Sequence, residues 1–413
     1  MKLNQVKKEI LDVQYMEDTS IIDVCLATLV SNRLRLGNPI WMVIIGKSSG
    51  GKSQILKPLA LSDPKFMHQV DDLTENTFLS SMNVKGGQDF SLLNKIGPTG
   101  MIVISDLTVI FSKNSDSKNA ILSQLRMIYD GEMTKMSGNK PEPTKWKGKL
   151  GIIAGSTPSV YAHFEDVADM GERFVYFRMK EYDERKATHL ALSRGLYGRE
   201  LDEKLATLYG DYVMEAGQAY IADGSPTITI PEDAVSRIID VSMFAERIRT
   251  TAHKDFKGEK IIKIPCPAAP MRVAQQLFAV LKGLAVIQFH ETGKYIIREK
   301  DIECVEWCGW SLANEEKRAV LKIFAEEDYL YPFKTSTVAD KIGLDTSTTG
   351  IILQNLAAVG VLNRTGSDST LSWSINHQED WEIVRRINNI AYTLGLEQRE
   401  ETDEEQGIEE INF

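Results

Sequence analysis

Ile40-Trp41-Met42-Val43-Ile44-Ile45-Gly46-Lys47-Ser48-Ser49-Gly50-Gly51-Lys52-Ser53 sets a continuous apolar run directly before a glycine-rich loop that closes on Gly-Lys-Ser. A short apolar run bounded by glycine reads as a buried strand, and a glycine, any four residues, then Gly-Lys-Ser is the spacing of a phosphate-binding loop. Each residue type has a physical job there. Gly46, Gly50 and Gly51 can take backbone angles that a Cβ forbids, so successive N–H groups can turn inward toward phosphate oxygens. Lys47, Ser48 and Ser49 complete the loop. Lys52 would place its ammonium on the β- and γ-phosphates, and the Ser53 hydroxyl could ligate Mg²⁺ at the start of the following helix, whose dipole favours an anion. The stretch from Gln54 to Leu61, interrupted only by Pro58, predicts that helix. The expected ligand is a nucleoside triphosphate, ATP with Mg²⁺.

The chain has 413 residues, 43% hydrophobic and 26% charged, which is ordinary for a globular protein of two or three domains. No apolar run approaches the ~20 residues of a membrane span. The opening Met1-Lys2-Leu3-Asn4-Gln5-Val6-Lys7-Lys8 lacks the apolar core of a signal peptide, so a cytoplasmic location without a membrane partner is expected. Cys25, Cys266, Cys304 and Cys308 are too scattered for a disulfide framework or a four-thiolate zinc site, and Cys304 and Cys308 suit a packed helix face beside Trp307. The six histidines form no metal-spaced pair. The net charge of −10 argues at first against nucleic acid, but Glu397 to Phe413 accounts for −7 of it, so the remainder can carry local basic patches.

Two further apolar strands, Met101 to Ile104 and Leu150 to Ala154, follow the loop, with a helical pattern at Ala120 to Tyr129 between them. Strands alternating with helices predict an α/β core, a parallel sheet covered on both faces, over residues 36–185. Before it, residues 1–35 read as a helical segment, with an apolar face of Ile21, Ile22, Val24, Cys25, Leu29 and Val30. Residues 186–312 are mostly helical, 313–380 form a smaller unit, and 381–413 are a helix and an acidic tail. The second strand ends in Ser105-Asp106-Leu107, and Asp106 is the candidate acid for holding Mg²⁺ through water. A common ATPase pattern has Asp-Glu at this point, with the glutamate polarising the attacking water. Here either Asp106 serves both purposes or the base comes from elsewhere.

The third strand leads into Gly155-Ser156-Thr157-Pro158, and Met170-Gly171-Glu172-Arg173-Phe174 follows. The order of phosphate loop, acid-tipped strand, strand ending in a small polar residue plus proline, and Arg-Phe element resembles the AAA+ ATPases. Within these it is most similar to the minichromosome maintenance (MCM) replicative helicases and to helicase-like ATPases of phages and mobile elements. The resemblance implies a homo-oligomer, usually a hexamer, with residues 186–312 as a helical lid. Thr157 would sense the γ-phosphate where the family usually has asparagine, and Arg173 would be the arginine finger reaching a neighbouring subunit's nucleotide. Arg272, in Ala269-Pro270-Met271-Arg272, would contact the nucleotide from the lid. The resemblance covers roughly residues 36–312, and only the phosphate loop is specific on its own.

Residues Thr134 to Lys149 hold Lys135, Lys140, Lys145, Lys147 and Lys149 with Trp146 and a Gly138-Asn139 turn signal, which read as a basic β-hairpin. In MCM-like helicases a hairpin at this point enters the ring channel and grips DNA, mostly single-stranded. Lysines neutralise phosphates and release counterions, and an indole offers a stacking surface. The alternative is a solvated loop anchored by Trp146. The pattern from Lys317 to Gly366 describes a winged helix, resembling the C-terminal domain of several AAA+ replication proteins, but its presumed recognition helix lacks Lys and Arg, so packing on the ring or a partner suits it better. The tail ending Ile408-Glu409-Glu410-Ile411-Asn412-Phe413 is similar to acidic tails by which single-stranded-DNA-binding and phage replication proteins recruit partners. The combined expectation is an ATP-dependent DNA translocase or helicase; a helicase loader or initiator and a nucleotide-switched DNA-binding regulator are the alternatives.

Overall fold

A computed structural model of the protein describes residues 2–12, 14–80, 91–136, 142–163, 173–193, 198–251, 253–254, 261–263, 266–367 and 371–389. The apolar runs of the sequence form the centre of a sheet. Strands β1 (Trp41–Ile45), β2 (Met67–Gln69), β3 (Thr99–Ile104), β6 (Lys149–Ser156) and β7 (Val175–Arg178) pair in parallel in the order β2-β3-β6-β1-β7. All five residues of β1 are buried, as expected of a strand covered on both faces. This α/β architecture is compatible with a Rossmann-like or phosphate-loop core. β4 (Glu132–Lys135) and β5 (Thr144–Lys147) stand apart as an antiparallel pair, with Glu132 opposite Lys147 and Met133 opposite Trp146.

The N-terminal segment is two helices, Leu3–Leu11 and Ser20–Leu34, where a single helical stretch was expected. Asp18 accounts for the restart: its carboxylate accepts from the Ser20 backbone N–H at 2.9 Å, satisfying one of the unpaired donors of a helix start. Ser20–Leu34 is buried on nearly every side rather than on one face, because the sheet covers part of it and helix Met271–Ile287 lies along the rest. Small residues permit that approach: Gly283 faces the Ala27 carbonyl, and Gly37 faces Ala279. Helices Gly198–Ala222, Glu232–Arg249 and Glu299–Trp310 complete the helical region, and Trp307 donates its indole N–H to the Arg178 carbonyl at the end of β7 at 2.8 Å. Cys304 and Cys308 are buried on that last helix, and burial pushes both thiols up, as the packed-face reading expects.

After Asn314, helices Glu315–Glu326, Thr335–Ile342 and Thr346–Ala358 pack on a three-stranded antiparallel sheet of Phe333–Lys334, Ser372–Ile375 and Leu362–Thr365. This unit is tied to the helical region by buried charge. Glu306, fully buried, accepts from Arg237 at 2.6 Å and from Arg386 at 2.8 Å, and Asp380 accepts from Arg247 at 2.7 Å. Lys317 donates to the Ile248 and Thr250 carbonyls, both at 2.8 Å, and burial pulls its ammonium down to about 8. Among the described residues no helix is long and apolar enough to cross a membrane. The tail through Phe413, and with it the idea of partner recruitment, lies outside the described residues.

Two glycines test the helix packing. A Cβ on Gly283 would land on the Ala27 carbonyl oxygen, so Gly283→Ala is expected to destabilise the fold by about 1–3 kcal/mol. Gly217, in the helix Gly198–Ala222, has only ordinary contact at 3.8 Å from Leu34, so Gly217→Ala should be neutral or stabilise by up to about 1 kcal/mol. Urea denaturation of both variants measures the contrast.

Candidate nucleotide site

The loop Gly46–Ser53 leaves the C-terminal end of β1, the second strand from one edge of the sheet, and runs into helix Lys52–Leu61. Gly51 takes φ +85° at the helix start and Ser49 takes φ +59°, so the chain curls through left-handed angles at two positions of the loop, and the Gly50 N–H donates to the Lys47 carbonyl at 3.1 Å. A Cβ on Gly50 would lie 2.9 Å from the Lys47 carbonyl oxygen, and one on Gly46 would lie 3.0 Å from the Met179 sulfur. Lys52 Nζ lies inside this curl, donating to the Gly46 and Lys47 carbonyls at 2.8 and 2.6 Å. Burial pulls its ammonium below the ordinary lysine value, opposed by the charge of Asp106. Ser48, Ser49 and Ser53 are exposed, and Lys47 pairs with Glu184 at 2.9 Å.

Strand β6 lies between β1 and β3 and joins the loop to the acid. Gly46 N–H donates to the Ser156 carbonyl at 3.1 Å, and Leu107 N–H donates to the Gly155 carbonyl at 2.8 Å. Thr157 follows directly, so it stands between the loop and the tip of β3; its hydroxyl is 2.6 Å from that of Ser159. Asp106 accepts from the backbone N–H and hydroxyl of Thr108 at 2.9 and 2.7 Å through one carboxylate oxygen, the capping role that any acid after a strand can play. Its charge still acts on Lys52. Ser53 and Asp106 supply hard oxygen donors, which with phosphate oxygens and water suit Mg²⁺. Among the described residues no cluster of three or more His, Cys, Asp or Glu side chains forms a cage of protein ligands.

The two arginines lie elsewhere. Arg173 precedes β7, so it lies at the N-terminal end of the sheet, opposite the loop. Its side chain is 4% exposed, donates to both oxygens of Asp130 at 3.0 Å and sits 5.4 Å over the Tyr129 ring. Tyr129 in turn packs on Trp41, the first residue of β1. Arg272 is exposed at the start of Met271–Ile287, and its charge acts on Tyr129 and Arg173. Gln276, one turn on, accepts from the Trp41 N–H at 3.2 Å. These contacts correct the expectation for Arg272: β1 alone puts about 13 Å of strand between it and the loop, so it does not cover this chain's own nucleotide. They also correct Arg173, whose guanidinium is committed inside its own chain rather than held out toward a neighbour.

The hairpin is corrected in part. Period-2 alternation turns Met133 and Trp146 inward, where both are buried, and the indole N–H donates to the Gly97 carbonyl at 2.8 Å. Trp146 is therefore an anchor and offers no stacking face. Lys135 reaches back to Glu75, Asn76 and Leu79 at 2.8 to 3.0 Å, and Lys147 pairs with Glu132 at 2.6 Å. Lys145 and Lys149 are exposed, and Lys149 lines a cleft of about 430 Å³ with Asn38, Gln275, Phe278 and Lys282. Lys140 and the Gly138-Asn139 turn lie outside the described residues.

Several residues at the loop's edge escape a motif reading. Gln14, almost fully buried, donates to the Gly51 carbonyl at 3.2 Å, and Tyr182 approaches Gly50 from the segment after β7. Asp71, two residues beyond β2, accepts from the Ser105 hydroxyl at 2.7 Å. No protein-family model matches the sequence, and no curated protein matches it either.

A Cβ on Gly155 would meet the Ser105 carbonyl oxygen at 2.6 Å and a Leu56 methyl at 2.9 Å. Gly155→Ala is therefore expected to push the tip of β3 away from the loop, costing about 1–3 kcal/mol of stability. Urea denaturation of the variant beside the wild type measures it.

Proposed function

We propose that this protein binds ATP with Mg²⁺ at Gly46–Ser53 and Asp106 and hydrolyses it as an oligomeric AAA+ motor moving on DNA, an MCM-like helicase of phage or mobile-element replication. The observation that carries the reading is one end of one sheet. The glycine loop, Lys52, Asp106 and Thr157 come from β1, β3 and β6 and converge there, with two backbone hydrogen bonds from β6 setting their spacing. A polyphosphate at that end would meet loop N–H groups, a helix N-terminus and an ammonium, the combination that stabilises charge in phosphoryl transfer. The three helices and three antiparallel strands after Asn314 support the winged-helix reading. Thr346–Ala358, the helix in the recognition position, carries no charged residue, which favours packing over base reading. Within the proposed ring, Arg272 could act only on a neighbouring copy.

A helicase loader or initiator is the second reading, and the hairpin favours it. With Trp146 buried and Lys135 and Lys147 engaged, Lys145 and Lys149 are the exposed lysines of the hairpin's described residues left to hold DNA. Steady-state ATP hydrolysis with single-stranded DNA, duplex DNA or neither separates the two. For a motor, single-stranded DNA should raise turnover several-fold, and Lys52→Ala should lower it by about 100-fold or more. Lys145→Ala with Lys149→Ala should weaken DNA binding and flatten its salt dependence. Tight ATP binding with negligible, DNA-insensitive turnover would favour the loader.

A further inference from the structure

The site as read lacks a group to activate water, because Leu107, fully buried, occupies the position after Asp106 where a glutamate would stand. The carboxylates at the loop's end of the sheet are few among the described residues. Beyond β7, Glu181 is exposed with its charge acting on Lys47, Glu184 is paired with Lys47, and Asp183 accepts from the Arg185 and Lys186 N–H groups, so all three lie on the far side of the loop from β3. Beyond β2, Asp72 is paired with Lys113 at 2.6 Å, and Glu75 accepts from Ser117 at 2.9 Å. Asp71 is placed differently. Gln69 stands opposite Val103, so two further residues bring Asp71 level with Ser105, directly beside Asp106 in the chain. The Ser105 hydroxyl donates to Asp71 Oδ1 at 2.7 Å, and the Gln69 amide donates to its two oxygens at 3.1 and 3.3 Å. The carboxylate is thus oriented by two side chains while the residue stays open to solvent.

We propose that Asp71 supplies the water-activating carboxylate that Ser105-Asp106-Leu107 lacks. This rests on the reading of the site as an ATP hydrolase. The attacking water must approach the γ-phosphorus opposite the leaving oxygen, on the side away from the loop, and the order β1-β6-β3-β2 puts the tips of β3 and β2 there. About 14 Å of sheet separates β1 from β2; the polyphosphate would cross the tip of β6, and a general base acts through one bridging water. In the step, the water oxygen bonds to the γ-phosphorus, and the bond from that phosphorus to the β,γ-bridging oxygen breaks with its electron pair leaving on ADP. The water proton passes to Asp71 and then to solvent. The hydrogen bonds from Ser105 and then Gln69 hold the Asp71 carboxyl below its ordinary value, so it stays ionised, and its part in the step rests on position rather than on raised basicity.

The test measures fluorescent-ATP affinity and ATP turnover for wild type, Asp71→Asn, Asp71→Glu and Lys52→Ala. Asp71→Asn is expected to lower kcat about 100-fold with ATP affinity within about twofold of wild type, and Asp71→Glu to recover part of that loss. Unchanged turnover in Asp71→Asn, or a parallel loss of ATP affinity, overturns the assignment while the hydrolase reading stands. Wild type that binds ATP without turning it over overturns the hydrolase reading, and Asp71 as base with it. A wild type that does not bind ATP, indistinguishable from Lys52→Ala, overturns the hydrolase reading itself.

Discussion

Two backbone hydrogen bonds at the end of β6 hold the candidate site to its dimensions. One runs to Gly46 at the mouth of the loop and the other to Leu107 just past the acid. Neither depends on a side chain, so the spacing between the two chemical groups is a property of the sheet. Gly155 is the residue that permits it, because the Ser105 carbonyl past the tip of β3 and a Leu56 methyl of the helix after the loop fill the space a Cβ would need. A parallel sheet also gives every strand the same direction, so whatever follows a strand gathers at one end and whatever precedes one gathers at the other. The loop, Asp106, Thr157 and Asp71 obey the first half of that rule, and Arg173 obeys the second.

The amino-acid sequence displays some of these features and hides others. The strand, the loop and the acid tip are legible in it because their signals are local: an apolar run, a fixed glycine spacing, an aspartate ending a second run. The interior place of Trp146 is legible in principle, since Met133 and Trp146 face each other on the inward side of an alternating pair. Arg173 is open to the same correction, because it comes just before a parallel strand. Arg272 is not, as its position follows from helix Met271–Ile287 lying along Ser20–Leu34, a packing choice set by Gly283 and Gly37 that no periodicity displays. Asp71 is hidden for another reason. Met67–Gln69 is too short to stand out as a strand, so its register against β3 has no signature in the residue pattern.

The lysines divide by what surrounds them. Lys52 is drawn into the loop by carbonyl oxygens, Lys135 is drawn onto three groups of residues 75–79, and Lys317 is drawn under the C-terminal unit by the last carbonyls of a helix. In each case an ammonium donates to backbone oxygens at the cost of its own hydration. A count of basic residues along a segment therefore overstates the charge that segment offers to solvent.

Glu306 carries a consequence for how the molecule comes apart. Its carboxylate is fully buried and shared between Arg237 of the helical region and Arg386 near the end of the described chain, while Asp380 and Lys317 bind across the same seam. Carboxylates desolvated as completely as Glu306 and Asp380 are tolerated only with their partners, since separation strands an ion in an apolar interior. The seam near residue 312, which looks like a domain boundary in the sequence, is therefore a cooperative joint. Pulling the three-stranded unit off the helices beneath it would have to break all of these pairs together.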